Sequence, residues 1–224
     1  MSQSFQKWDG NDPEAATIVL LTTFLNELER RLADPVQAPV LRQRIQAQWV
    51  TLEEAHQDWV IDAPAKSNLK MTTAVLAAYR VLQDLFPRKA LLTLLRETFL
   101  GPFREAIRRG TAQMLDAAPD PFLALVEVSK TKEVHAFGAG FTFEHERDDQ
   151  GAYLLNVTRC FYHNFFVANE APELTPIFCD FDAPWIEAID PARHGFRFER
   201  STTLGYGGRM CPFHFSRTAK EDRR

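Results

Sequence analysis

The chain has 224 residues, of which 45% are hydrophobic and 25% charged, with a formal net charge of -4 and a pI of about 5.9. This balance excludes a largely disordered chain and supplies enough apolar material for a sizeable core. It also implies no broad basic surface, so nucleic acid is not an expected partner.

Lys and Arg gather at 217–224, but there they mix with acids, as in a solvated tail. No apolar run reaches the roughly 18–20 residues of a membrane helix. The N-terminus shows no basic segment followed by an apolar stretch. The expectation is a cytoplasmic protein without a membrane partner. Its three cysteines, an odd number, would stay thiols in a reducing compartment.

Residues 1–10 read as a lead-in. Asn11-Asp12-Pro13-Glu14 predicts a helix start, with a capping side chain, a proline in the first turn and an acid at the positive end. Ile18, Leu21, Phe24, Leu25, Leu28 and Leu32 then recur at helical spacing. A second amphipathic helix spans Pro39 to Trp59. Ser67-Asn68 caps a third, which Pro87 ends. A fourth runs from Arg88 to Leu100, where Gly101-Pro102 bends or breaks it. A fifth covers Phe103 to Leu115, and a short sixth Pro121 to Lys130.

The pattern changes near residue 135. Phe141 to Glu146 alternates apolar and polar residues as a half-buried strand does, and Asp148-Asp149-Gln150-Gly151 supplies a turn. Tyr153, Leu155 and Val157 alternate again, which predicts a hairpin. Cys160 to Asn169 reads as a short helix and Pro172 to Ile189 as one or two more. Phe196 to Arg200 and Cys211 to Phe215 read as closing strands. The fold class is therefore α+β. A helical region, 1–134, packs on an α+β region, 135–224, with an antiparallel sheet and helices, the two forming one unit.

Cys160, Cys179 and Cys211 each fall at or near a boundary between elements, and such boundaries can converge at one end of a sheet. A buried cysteine is often only a small hydrophobe. Cys160 and His163, however, are spaced to share a helix face, where an imidazole can take a thiol proton or lower its pKa. Cys179, Asp180 and Asp182 put a thiol beside two carboxylates able to orient an imidazole or act as general base. Glu173 follows Pro172 and suits the first turn of a helix. Gly205, Gly207 and Gly208 approach Cys211, and glycines let a backbone turn its N–H groups toward an anion. Three cysteines and a histidine also suit a structural zinc, although paired Cys-x-x-Cys spacing is absent.

The blocks Thr158-Arg159-Cys160-Phe161-Tyr162, Pro172 to Asp182, Phe198 to Leu204, Gly207-Gly208 and Cys211-Pro212-Phe213-His214-Phe215 resemble the signature of L-2-amino-thiazoline-4-carboxylic acid hydrolases. The resemblance covers about residues 140–216. It implies hydrolytic opening of a small cyclic amidine-like ring, at carbon–nitrogen bonds; no cofactor and no metal ligand are expected. It implies Cys160 or Cys179 as nucleophile, His163 as proton carrier, and Asp180 or Asp182 orienting it or activating water. Glu173, Thr203, Gly207, Gly208, Cys211 and His214 would contact the substrate. The family's last block usually reads Cys-Asp-Phe-Arg-Phe, so Pro212 and His214 replace an acid and an arginine. Weakened turnover of the thiazoline follows if that face meets the substrate. The partner is a small-molecule substrate, and a homo-oligomer is possible. The rival readings are a non-catalytic sensor or carrier domain, distantly similar to four-vinyl-reductase-type domains, and a zinc-stabilised domain.

Overall fold

The computed structural model describes residues 13–32 and 34–218. The lead-in at 1–10, the Asn11-Asp12 cap and the charged tail beyond Thr218 lie outside them.

α1 (Pro13–Arg31) and α2 (Gln37–Ala55) lay their apolar stripes on α3 (Ala63–Leu82). Those stripes are Leu21, Phe24, Leu25 and Leu28 on α1, and Leu41, Ile45 and Leu52 on α2. α3 is the central helix: Leu69, Val75, Leu76 and Leu82 are buried together with Ala74, Ala77 and Ala78, whose small side chains admit neighbours on several sides. Its cap is Asp62, not Ser67-Asn68 as the sequence reading had it. Asp62 Oδ1 accepts the Ala65 N–H at 2.8 Å and Pro64 sits in the first turn, a stronger start signal than the later Ser-Asn. Ser67 and Asn68 are consequently buried inside the helix.

α4 (Arg88–Ala117) is one helix of 30 residues, where the sequence reading placed two around Gly101-Pro102. Proline disfavours helical geometry in the residue before it through a clash with that residue's Cβ, and Gly101 has none. Both residues face outward, with nothing near the position of a Gly101 Cβ. There the lost backbone hydrogen bond can be made good by water.

α5 (Pro121–Lys132), capped by Asp120, passes into a π-helical turn over Glu133–Phe137 and a 3₁₀ turn over Gly138–Gly140. The second Asp62 oxygen accepts the Ala139 N–H at 2.6 Å, so one carboxylate starts α3 and fixes this turn. The sheet follows: β1 (Thr142–Asp148), β2 (Ala152–Arg159), β3 (Phe196–Glu199) and β4 (Cys211–Arg217), antiparallel throughout, in the order β1-β2-β4-β3. Between β2 and β3 run α6 (Phe161–Ala168), α7 (Thr175–Cys179), α8 (Ala183–Glu187) and α9 (Pro191–His194), with 3₁₀ turns at Pro172–Leu174 and Asp180–Asp182. The hairpin, its turn and the α+β class agree with the sequence reading.

Strand alternation gives the sheet two different faces. Tyr153, Leu155, Val157, Cys211, Phe213 and Phe215 share the inner face, against α5, α8 and the cysteine region. Leu154, Asn156, Pro212 and His214 share the other. One buried cluster runs from Leu21 and Phe24 on α1 through α3 to Phe166, Phe178 and Cys211, and so joins the helical half to the α+β half.

Candidate active site

Cys160 is the N-cap of α6, Cys179 ends α7 and Cys211 opens β4. The turn Thr203–Gly205 joins two of them. The Thr203 hydroxyl donates to Cys179 Sγ at 3.2 Å, and the Leu204 N–H donates to Cys211 Sγ at 3.2 Å. The Gly205 N–H also favours the Cys179 thiolate, and its backbone lies so close that an added Cβ would sit 2.7 Å from that sulfur. Cys160 lies within electrostatic reach of both other thiols. The three element boundaries therefore meet at one end of the inner sheet face.

Two acids flank this end. Asp182 accepts from Arg200 Nη1 at 2.7 Å and from Trp185 Nε1 at 2.9 Å. Arg200 also donates to the Cys179 carbonyl at 3.2 Å and lies over the Phe213 ring. Asp180 accepts the Tyr206 hydroxyl at 2.7 Å and pairs with Arg96 at 2.9 Å, which ties the turn to α4. The Asp182–Arg200 pair thus stands beside Cys179, while Asp180 braces the segment that touches it.

Other sequence-predicted residues lie differently. His163 does share the opening turn of α6 with Cys160, but its Nδ1 faces the Thr175 hydroxyl at 3.5 Å, and burial lowers its pKa. Thr175 and Cys179 both abut Gly205, so the imidazole is one side chain removed from Cys179. Glu173 accepts from Tyr79 at 2.6 Å and pairs with Arg88 at 2.9 Å, which makes it a brace between α3, α4 and the Pro172–Leu174 turn.

Gly207 and Gly208 do not present their N–H groups to the thiols. Those groups are spent inside the turn, on the carbonyls of Leu204 and Thr203 respectively. Gly207, at φ +84°, makes the left-handed exit of the turn, and Gly208 packs on Thr202. His214 lies on the sheet face opposite Cys211, and its Nε2 pairs with Asn156 Oδ1 at 3.0 Å. The period of a strand allows no other outcome for residues three apart. The replacement at 214 therefore removes no charge from the thiol end.

Three residues escaped the sequence reading of the site, and a fourth, Gly205, was read there only as one of the glycines approaching Cys211. Arg200 was visible within the Phe198–Leu204 block, but nothing local marked it as the partner of Asp182. Gly205 differs from its neighbours only through its contact with Cys179. Tyr162 donates to Asn68 Oδ1 at 2.8 Å, and Asn68 Nδ2 in turn donates to the Ala136 carbonyl at 3.2 Å. That link sets the π-helical turn against α6, and π turns often occur at functional sites. Lys132 ends α5 within electrostatic reach of Asp182; burial pushes its pKa down and Asp182 opposes this. Among the described residues no group of three or more His, Cys, Asp or Glu side chains is placed to hold a metal ion.

The expectation of a lowered thiol pKa is reversed. Burial pushes the Cys160 thiol up to about 12, with the Tyr162 and His163 amides offsetting only part. Burial pushes Cys211 up to about 11. Cys179 is also raised by burial, but Thr203, the Gly205 amide and Arg200 all favour its thiolate. Each raised thiol stays protonated until the pH passes its folded value. Iodoacetamide labelling of the native protein is therefore expected to be slow at all three near pH 8.5 and to rise toward pH 10, with Cys179 first. Mass spectrometry of the alkylated peptides checks this order, and fast labelling of Cys160 at pH 8.5 contradicts it.

Comparison with curated proteins and with solved structures returned no match. The family model for L-2-amino-thiazoline-4-carboxylic acid hydrolase matches residues 67–215, a span that takes in most of α3, the sheet up to Phe215, all three thiols and the Asp182–Arg200 pair. The chain belongs to the L-2-amino-thiazoline-4-carboxylic acid hydrolase family.

Proposed function

We propose that this protein opens a small cyclic amidine-like ring, 2-amino-thiazoline-4-carboxylate or a close relative, with Cys179 as the nucleophile. The observation that carries this reading is the convergence of the Thr203 hydroxyl and the Gly205 amide on Cys179 Sγ, beside the Asp182–Arg200 pair. Of the three thiols it has the most groups favouring its anion, and it retains some exposure.

The ring carbon between sulfur and nitrogen is electrophilic. The Cys179 sulfur adds to it, and the thiol proton passes to the ring nitrogen, with His163 and Thr175 as the nearby carriers. The bond from that carbon to the ring nitrogen then breaks, the nitrogen leaving as the amine while the carbon stays bound to Cys179. Asp182 takes a proton from water, whose oxygen adds to this carbon and displaces the Cys179 sulfur, and the proton returns to restore the thiol. Asp180 acts through its hold on Tyr206.

A non-catalytic binding domain is the second reading, favoured by the upward shift of all three thiols. Incubation with the thiazoline in ¹⁸O-water separates the two. Turnover on the order of 1–1000 per second, with one ¹⁸O at the former ring carbon, supports the hydrolase. A ring that binds and survives overturns it.

A further inference from the structure

We propose that Arg200 is a positioning residue of this site, clamping the Cys179 turn and the Asp182 carboxylate into one unit on the sheet face. The proposal rests on the reading of Cys179 as nucleophile and Asp182 as base, and adds the residue that couples them.

The place of Arg200 follows from the strand before it. Phe198 stands opposite Phe215 on β4 and packs on Phe213 and Phe215 of the inner face. Arg200 comes two residues later, so alternation turns it to the same face. There its guanidinium lies over the Phe213 ring, 5.4 Å from the centroid, and its side chain is only 14% exposed. Stacking on a ring fixes the plane of a guanidinium and hence the direction of its N–H fork.

Two arms of that fork are used. Nη1 donates to Asp182 Oδ2 at 2.7 Å and Nη2 to the Cys179 carbonyl at 3.2 Å. The other Asp182 oxygen accepts from Trp185 Nε1 at 2.9 Å, and Trp185 stacks on Phe213 as well. Asp182 is thus held at both oxygens, with a second lone pair on each left for water. Cys179 ends α7 and Asp182 ends the 3₁₀ turn that follows it, so Arg200 grips this junction at both its ends.

The clamp also balances charge. Cys179 stands at the carbonyl end of α7, where an anion is disfavoured, and Asp182 puts a second negative charge near it. The proposed reaction needs a thiolate and a carboxylate there together. Arg200 is a cation bonded to both segments, and it favours the Cys179 thiolate that Asp182 opposes.

The test uses Arg200→Lys, Arg200→Gln, Asp182→Asn and the double variant of Arg200→Lys with Asp182→Asn. On the thiazoline, Arg200→Lys should lower kcat about a hundredfold with KM within about threefold, because the charge stays and the fork is lost. In the Asp182→Asn background the same substitution should cost no more than about threefold, since residues that act as a unit are not additive. A KM effect as large as the kcat effect, or a full loss in both backgrounds, overturns the proposal. Iodoacetamide labelling near pH 9 gives a readout independent of turnover. Arg200→Gln should slow Cys179 about tenfold and Arg200→Lys less than about threefold, with Cys160 unchanged in both. If the native protein leaves the ring intact, the hydrolase reading fails and labelling alone decides the clamp. The stated order then supports it, and a native-like Cys179 rate in Arg200→Gln overturns it. Glutamine keeps a donor for the Asp182 carboxylate, and melting curves verify that each variant is folded.

Discussion

Replacing Cys179 by alanine should lower kcat/KM for the thiazoline at least about a thousandfold, the scale of losing a nucleophile that acts in concert with its donors. The protein should still fold, because Cys179 is short and only partly buried at the end of a five-residue helix. Cys160→Ser is the informative control. Position 160 caps α6 with extended backbone angles, φ -128° and ψ 122°, where serine is among the preferred residues. Its activity should stay within about tenfold of the native value, since a one-atom change there disturbs the site only through packing. Thr203→Val removes the hydroxyl that donates to Cys179 and should cost about 10- to 100-fold, the worth of a hydrogen bond to a charged group. Steady-state kinetics with melting curves for each variant checks the ordering. Equal losses in Cys179→Ala and Cys160→Ser would mean that the thiols act as packing.

The architecture was legible where one physical rule governed one stretch. Alternation located the hairpin at residues 142–159, where Phe143, Tyr153, Leu155 and Val157 take one face of the sheet. Helical spacing found the stripes of α1 and α2. It failed at Pro102, where the rule that proline ends a helix was offset by the glycine before it and by the outward position of both residues. It failed again at the start of α3, where a serine and an asparagine look like caps until their burial is known.

The site was legible as blocks but not as contacts. Sequence order brought Cys160, Cys179 and Cys211 to element boundaries, and the fold gathers those boundaries. Spacing put His163 beside Cys160, but it could not show that the ring would turn to Thr175. Nor could spacing report desolvation, which moves all three thiols upward and outweighs the helix-start amides at Cys160. Among the glycines, the deciding fact is where each N–H is already spent. Gly207 and Gly208 spend theirs within the turn, whereas Gly205 turns toward Cys179.

Gly205→Ala is the substitution that isolates this turn. The added methyl would lie 2.7 Å from Cys179 Sγ, 2.9 Å from Thr175 Cγ2 and 3.2 Å from the Pro176 backbone nitrogen. Gly205 has no positive φ, so the penalty comes from contact and not from backbone strain. Because the third neighbour is backbone, rotating side chains cannot relieve the overlap, and Thr203–Gly205 must retreat. That withdraws the Thr203 hydroxyl from Cys179 and the Leu204 amide from Cys211 together. Overpacking of this kind costs about 1–3 kcal/mol, or roughly 2–12 °C in Tm for a chain of this size. The loss in kcat should be larger than stability alone suggests, on the order of a hundredfold, because small displacements of positioned groups cost that much. Gly207→Ala provides the contrast. Nothing lies near its added methyl, but its φ of +84° is a conformation that alanine resists at about 1–2 kcal/mol. It should lower Tm by a similar amount while leaving kcat near the native value. If both variants lose activity in proportion to their loss of stability, the Gly205 contact has no role beyond packing. A kcat deficit confined to Gly205→Ala, with Tm losses alike, ties turnover to the turn that grips Cys179.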